Sequence, residues 1–204
     1  KNFSSYLNSL NKNETFLIDY KSCSVYYKNK ISSKFKYLQL IDPIFFLKAK
    51  KNKTEIKNMI KSHIADGVAL TKFIFWIKNT IGKKKTTELD AQLKLEKFRK
   101  ENKNYLFPSF NTISGSGPNG AIIHYRVTPK TNRLIKKTDI FLCDSGGQYK
   151  YGTTDVTRTI CFKKPSNNIK NIFTKVLKGH INVATYKLKK NTSGKQVDKV
   201  ARAP

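Results

Sequence analysis

Acidic side chains are scarce in this sequence: 13 Asp and Glu stand against 41 Lys and Arg in 204 residues, a formal net charge of +28. Arginine is scarce too, confined to Arg99, Arg126, Arg133, Arg158 and Arg202. A nucleic-acid reader is expected to use arginine forks on phosphates and guanines. Here the positive charge is nearly all lysine, scattered along the chain and accompanied by abundant Asn and Ile. Biased residue usage explains it better than a nucleic-acid surface, and no nucleic-acid partner is expected. Cysteine is limited to Cys23, Cys143 and Cys161, with no paired spacing and no Cys-x-x-Cys. Cys143 and Cys161 sit in apolar strand-like runs and read as buried free thiols, which suits a reducing compartment. No apolar run approaches the length of a membrane span, and no signal peptide is visible. No membrane partner is expected.

What is present is a globular composition, with 38% hydrophobic and 12% aromatic residues, on a chain long enough to bury a core. Residues 1–41 read as the end of a small α/β piece. TFLIDY (15–20) and KYLQLI (36–41) are strand-like, with SVYYKNKI as a short helix between them. Residues 42–52 read as a connection turned by Pro43. Asn52 then caps a long helix, with Glu55 at capping-box spacing. Its inward face is predicted from Ile56, Met59, Ile60, His63, Ile64, Val68, Phe73 and Ile77. A second helix occupies 86–102, capped by Thr86 or Thr87 with acids in its first turn. Turns and strands fill 104–162. A third helix follows Pro165 to about residue 189, with Ile169, Ile172, Phe173, Val176, Leu177, His180 and Val183 inward. His63 reads as a packing or hydrogen-bonded residue. A fourth helix begins at Lys195 and stops with the chain, so a chain cut at both ends is expected.

The chemistry concentrates in FLCDSGGQYKYGTTDVTRTICF (141–162), where two of the scarce acids, Asp144 and Asp155, flank a glycine-rich turn. With the turn centred between Tyr149 and Lys150, Asp144 lies directly opposite Asp155. Like charges opposed on a hairpin are destabilising unless something neutralises them. A shared proton, an arginine or a pair of divalent cations can do so. No aspartic-protease-type loop surrounds either residue, and Arg158 points to the other face by alternation. Carboxylates suit hard ions such as Mn²⁺. Two solvent-facing acids on an exposed hairpin remain the plain alternative. Upstream, SGSGPNG (114–120) makes a tight loop in which backbone can approach a ligand. GAIIHY then reads as a strand that delivers His124. A histidine there can polarise a carbonyl or shuttle a proton, or simply be a polar residue at a strand end.

These residues resemble a known family. LKAKKNKTEIKNMIKSHIADGVALTKFIFWI, ISGSGPNGAIIHY, DSGGQYKYGTTDVTRT and VLKGHI, spread over residues 42–204, are similar to the pita-bread metallopeptidases. Within these they look like the long, multidomain Xaa-Pro aminopeptidases. The resemblance implies an α+β fold: residues 42–204 as the first half of a pita-bread catalytic domain, antiparallel sheet with flanking helices, and residues 1–41 as the tail of a smaller α/β domain. It implies that Asp144 and Asp155 are the first two ligands of a dinuclear divalent-metal site, usually Mn²⁺, with Asp155 bridging, and that His124 is the substrate-side catalytic histidine. It implies release of the N-terminal residue from peptides with proline second, by a hydroxide held between the metals. A cytoplasmic homodimer is also implied. One departure is Tyr151, where the family commonly has Asp; it is not a ligand position. The family's remaining ligands, a histidine and two glutamates, fall beyond Pro204, so this polypeptide alone is expected to be inactive, with an exposed apolar face. Prolidase, methionine aminopeptidase and a non-catalytic binding relative with a basic surface are the rival readings.

Overall fold

The computed structural model describes residues 2–204. The chain divides into two compact units, Lys1–Asn58 and Met59–Pro204. In the first, helix α1 (Phe3–Asn8) precedes a crossover of strand β1 (Thr15–Ile18), helix α2 (Val25–Ser32) and strand β2 (Lys36–Gln39). The two strands pair in parallel, Thr15 with Lys36 through Ile18 with Gln39. A small cluster of Leu7, Ile18, Ile31 and Phe35 closes under them. The predicted connection at 42–52 is instead largely helix α3 (Pro43–Ala49). Asp42 supplies the cap, its Oδ1 accepting from Ile44 N at 2.9 Å. Pro43 sits where a helix tolerates the missing N–H, so it starts this helix rather than breaking the chain.

Helix α4 (Lys53–Thr80) begins as predicted. Asn52 Oδ1 accepts from Glu55 N, and Glu55 Oε2 accepts from Asn52 N. The buried face is not the isoleucine row. It carries Ser62, Asp66, Ala69, Leu70, Phe73 and Ile77. Of the predicted inward residues, Phe73 and Ile77 are fully buried, whereas Ile60 and Ile64 are 58% and 66% exposed. Two polar residues therefore point inward while a row of aliphatic ones faces out. The cause lies in what Asp66 meets, described below. Helix α5 (Glu88–Lys100) is capped by Thr87, one of the two predicted caps, which forms a capping box with Asp90.

Strands β3 (Tyr105–Pro108) and β4 (Ile113–Ser116) follow, then a 3-10 turn over Gly117–Ala121. The main hairpin is β5 (Ile140–Ser145), β6 (Gly147–Tyr149), β7 (Gly152–Thr153) and β8 (Val156–Cys161). Two antiparallel three-stranded sheets result, in the orders β4-β5-β8 and β3-β6-β7. Along β5 burial alternates, with Phe141, Cys143 and Ser145 buried. Phe141 and Cys143 join Phe73, Ile77, Ala91, Leu95 and Ile160 in one core, so α4 and α5 cover one face of the sheet. The other face carries Leu142 and Asp144.

Helix α6 (Asn167–Thr185) packs on α7 (Gly194–Arg202). Its buried residue is Gly179, where a Cβ would meet Ala201 O at 2.3 Å. The predicted inward row does not go in: Phe173 is 54% and Val176 67% exposed, and His180 is exposed. Periodicity marked an apolar stripe correctly, but nothing among the described residues covers it. Among the described residues no helix is long and apolar enough to cross a membrane.

Candidate metal centre

Two ladders share one register, Ile140 with Cys161 through Ser145 with Val156 and Gln148 with Thr153 through Tyr149 with Gly152, and no ladder pair joins them at Gly146–Gly147 and Thr154–Asp155. The turn therefore falls on Lys150 and Tyr151, one residue later than predicted. Lys150 N is fixed to Asn104 O at 2.9 Å. The partner of Asp144 is Thr157, not Asp155. Asp155 stands two residues before Thr157, in the break between the two ladders; Thr154 beside it is buried and Asp155 is exposed, so Asp155 points away from the core, as Asp144 does between buried Cys143 and Ser145. The expectation of direct opposition is corrected.

Asp144 is half-buried near the end of β5, and its Oδ1 accepts from Thr157 Oγ1 at 2.8 Å. Asp155 is exposed. Among the described residues neither acid is in an ion pair, although the chain carries a +28 charge. Arg158 pairs in register with Cys143, on the helix-covered side, and donates to Thr157 O. Two carboxylates spared lysine and arginine partners, both pointing away from the core, are hard-oxygen donors that fit part of a divalent-cation site. No cluster of three or more His, Cys, Asp or Glu suited to a metal exists among the described residues.

The segment between the acids is tied down. A Cβ on Gly146 would sit 1.9 Å from Thr154 O and 2.2 Å from Ser109 Oγ, so only glycine allows this approach. Ser109 clasps both strands: its N donates to Gly146 O and its hydroxyl to Thr154 O. Gly147 N donates to Thr154 Oγ1 at 2.9 Å, and Thr154 N donates to Gly147 O. Below lies a buried charge pair missing from the sequence reading. Arg99 reaches Asp66 on α4 and also donates from Nη2 to Ser145 Oγ at 3.0 Å. Tyr149 OH donates to Asp66 Oδ1 at 2.9 Å. One ion pair thus holds both ends of the stretch 145–149. Asp66 faces inward to meet Arg99, and this sets the rotation of α4. Cys143, beside the pair, has its thiol pushed up to about 11, mainly by burial. Tyr151 packs near Tyr149, with Lys61 Nζ 4.7 Å above its ring.

His124 is not on a strand. Gly117–Ala121 coil into the 3-10 turn, and the strand lies earlier, at Ile113–Ser116. Pro118 cannot donate to a ladder, and Asn119 turns inward to a buried carboxylate, so the segment curls. His124 is exposed in a turn closed by Tyr125 N to Ile122 O. Its φ is +55°, the left-handed region, and no other non-glycine residue among those described shares it. The carboxylate is Glu88, fully buried at the first position of α5.

The profile of metallopeptidase family M24 matches residues 57–204. The chain belongs to this family. Xaa-Pro aminopeptidase ApepP of Drosophila melanogaster is 43% identical over 180 residues, which cover 88% of this chain and 29% of that protein. Among solved structures, X-prolyl aminopeptidase of Caenorhabditis elegans, described as a cytosolic enzyme with a di-nuclear active site, superposes with a TM-score of 0.74 at 33% identity. It covers 85% of this chain and 28% of that one. Prolidase of Pyrococcus furiosus gives 0.78 at 24% identity, covering 100% of this chain and 58% of that one, and speaks to the fold alone. The M24 chain thus has the α+β pita-bread fold, and it spans under a third of the Drosophila and Caenorhabditis aminopeptidases.

Proposed function

We propose that the whole protein is a metal-dependent aminopeptidase that releases the N-terminal residue from Xaa-Pro peptides. In this reading Asp144 and Asp155 supply two of the ligands for a pair of divalent ions, Mn²⁺ by the hardness of its donors. Residues 42–204 are the first half of the catalytic domain and 1–41 the tail of a smaller one. The observation that carries the reading is the hairpin: two acids without ion-pair partners, both pointing away from the core, joined by a segment clamped at both ends, in a chain of the M24 family. The 43% identity to an Xaa-Pro aminopeptidase supports this activity over that of a prolidase.

When bound, the metal pair supplies Lewis acidity at the scissile carbonyl and lowers the pKa of a water. The rest falls to the chain. Thr157 orients Asp144 through its hydroxyl. Ser109 and Thr154 fix the backbone that leads into Asp155. His124 stands free on a rigid turn, available to hydrogen-bond the substrate or move a proton. Cytoplasmic location and a homodimer are part of the proposal.

The test is hydrolysis by the full-length protein of Arg-Pro-Pro against a Xaa-Pro dipeptide, after chelation and after Mn²⁺ return. Release of arginine from the tripeptide, lost on chelation and restored by Mn²⁺, is the expected result. Exclusive dipeptide cleavage would make it a prolidase. No hydrolysis of either, with no Mn²⁺ bound, would leave a binding relative.

A further inference from the structure

Glu88 is a carboxylate with no exposed area and no salt bridge among the described residues; backbone and neutral side-chain groups donate to it instead. Ser116 N donates to Oε1 at 2.7 Å, Tyr125 OH to Oε2 at 2.9 Å and Arg133 N to Oε2 at 3.1 Å, while Asn119 Nδ2 lies within 3.1 Å of both oxygens. Burying an ionised carboxylate is costly unless every lone pair is engaged. Its place at the first position of α5, where the helix dipole favours negative charge, offsets part of that cost. An arrangement of this kind fixes the groups that solvate it.

Those groups bracket His124. Asn119 precedes it by five residues and Tyr125 follows it directly, and both end on the same carboxylate. Between them the chain makes a four-residue turn, Ile122 to Tyr125, with His124 at the third position. Glycine is the usual occupant of that position when φ is positive. A side chain held there is strained and persists only when its surroundings over-determine it.

We propose that Glu88 is a positioning residue that holds His124 in its left-handed conformation through Tyr125 and Asn119, presenting the imidazole to the substrate. The inference rests on the proposed function for the role of His124, but the clamp itself can be measured without it. The first variant is Tyr125→Phe, which removes one hydroxyl and leaves the other donors to Glu88. The second is Glu88→Gln, which keeps the shape and removes the charge. In the full-length protein, hydrogen exchange over residues 117–125 should quicken in both. The kcat/KM for Arg-Pro-Pro should fall roughly 10–100-fold, with Mn²⁺ affinity by calorimetry unchanged. In a His124→Ala background Tyr125→Phe should add no further loss, which a merely structural role would not produce. Unchanged exchange in both variants, or a loss that adds fully to that of His124→Ala, overturns the proposal. Wild-type turnover by His124→Ala would instead remove His124 from the proposed function, and faster exchange in Tyr125→Phe would still support the clamp.

Discussion

Arg99 and Asp66 meet in a site where neither side chain has any exposed area, Nε to Oδ1 at 2.7 Å and Nη2 to Oδ2 at 3.1 Å. The pair joins α4 to α5 and, through Ser145 and Tyr149, to the hairpin. Arg99 Nη1 is buried without a partner. Removing one charge strands the other. Asp66→Asn or Arg99→Met should each cost about 3–5 kcal/mol by chemical denaturation of the full-length protein. The double variant Asp66→Leu with Arg99→Met should recover part of that loss. A single variant as stable as the wild type would show that the pair is not what holds α4 in its rotation.

Asp155 is exposed and makes no hydrogen bond or ion pair among the described residues, so Asp155→Asn should leave the fold nearly as stable, within about 0.5 kcal/mol. Its Mn²⁺ affinity, read by calorimetry, should fall at least tenfold on the order of a lost charged ligand. Equal affinity in variant and wild type would take Asp155 out of the site.

Gly146→Ala places a methyl group where Thr154 O stands at 1.9 Å. The strands must part beside Asp155. The expected cost is about 1–3 kcal/mol in stability, as for overpacking, together with weaker Mn²⁺ binding. Unaltered Mn²⁺ binding in a destabilised variant would show that the clasp shapes the fold without setting the acids.

Tyr105 donates to Glu96 Oε2 at 2.6 Å. Burial first, and then this carboxylate, push its phenol well above the ordinary value near 10. A phenol kept protonated by the fold adds stability that is complete below about pH 10 and lost as the pH climbs toward the raised value. Denaturation midpoints should therefore decline more steeply above about pH 10 in the wild type than in Tyr105→Phe. Identical alkaline limbs would refute the contribution.

The 204-residue polypeptide on its own should bind Mn²⁺ weakly and show no Xaa-Pro cleavage, since its described residues offer no third ligand near the two acids. Chelation-sensitive turnover by the purified chain would contradict this.

Much of this was legible beforehand, because it is local. Asn52 with Glu55 announces one helix start through contacts three residues apart, and Thr86 and Thr87 ahead of a first turn with acids announce another. The alternation around Asp144 announces a strand half-covered by helices. Tertiary polar contacts were not legible. Asp66 lies on α4 among hydrophobic residues that compete for the same face, and only Arg99, 33 residues on, decides the rotation. The curl before His124 depends on Glu88, 31 residues before Asn119. The register slipped because the turn position depends on Asn104, on a distant segment. The stripe on α6 misled for another reason: periodicity reports that a face is apolar, not that anything is packed on it.

The clasp by Ser109 has a thermodynamic consequence. The segment joining Asp144 to Asp155 is already ordered by contacts that involve no ion. Loading therefore need not fold the loop that carries the ligands, and little chain entropy is surrendered at that step. In the proposed metal site the hairpin acts as a preorganised chelate arm, and the calorimetric signature of Mn²⁺ binding should be that of dehydrating carboxylates rather than of ordering a backbone.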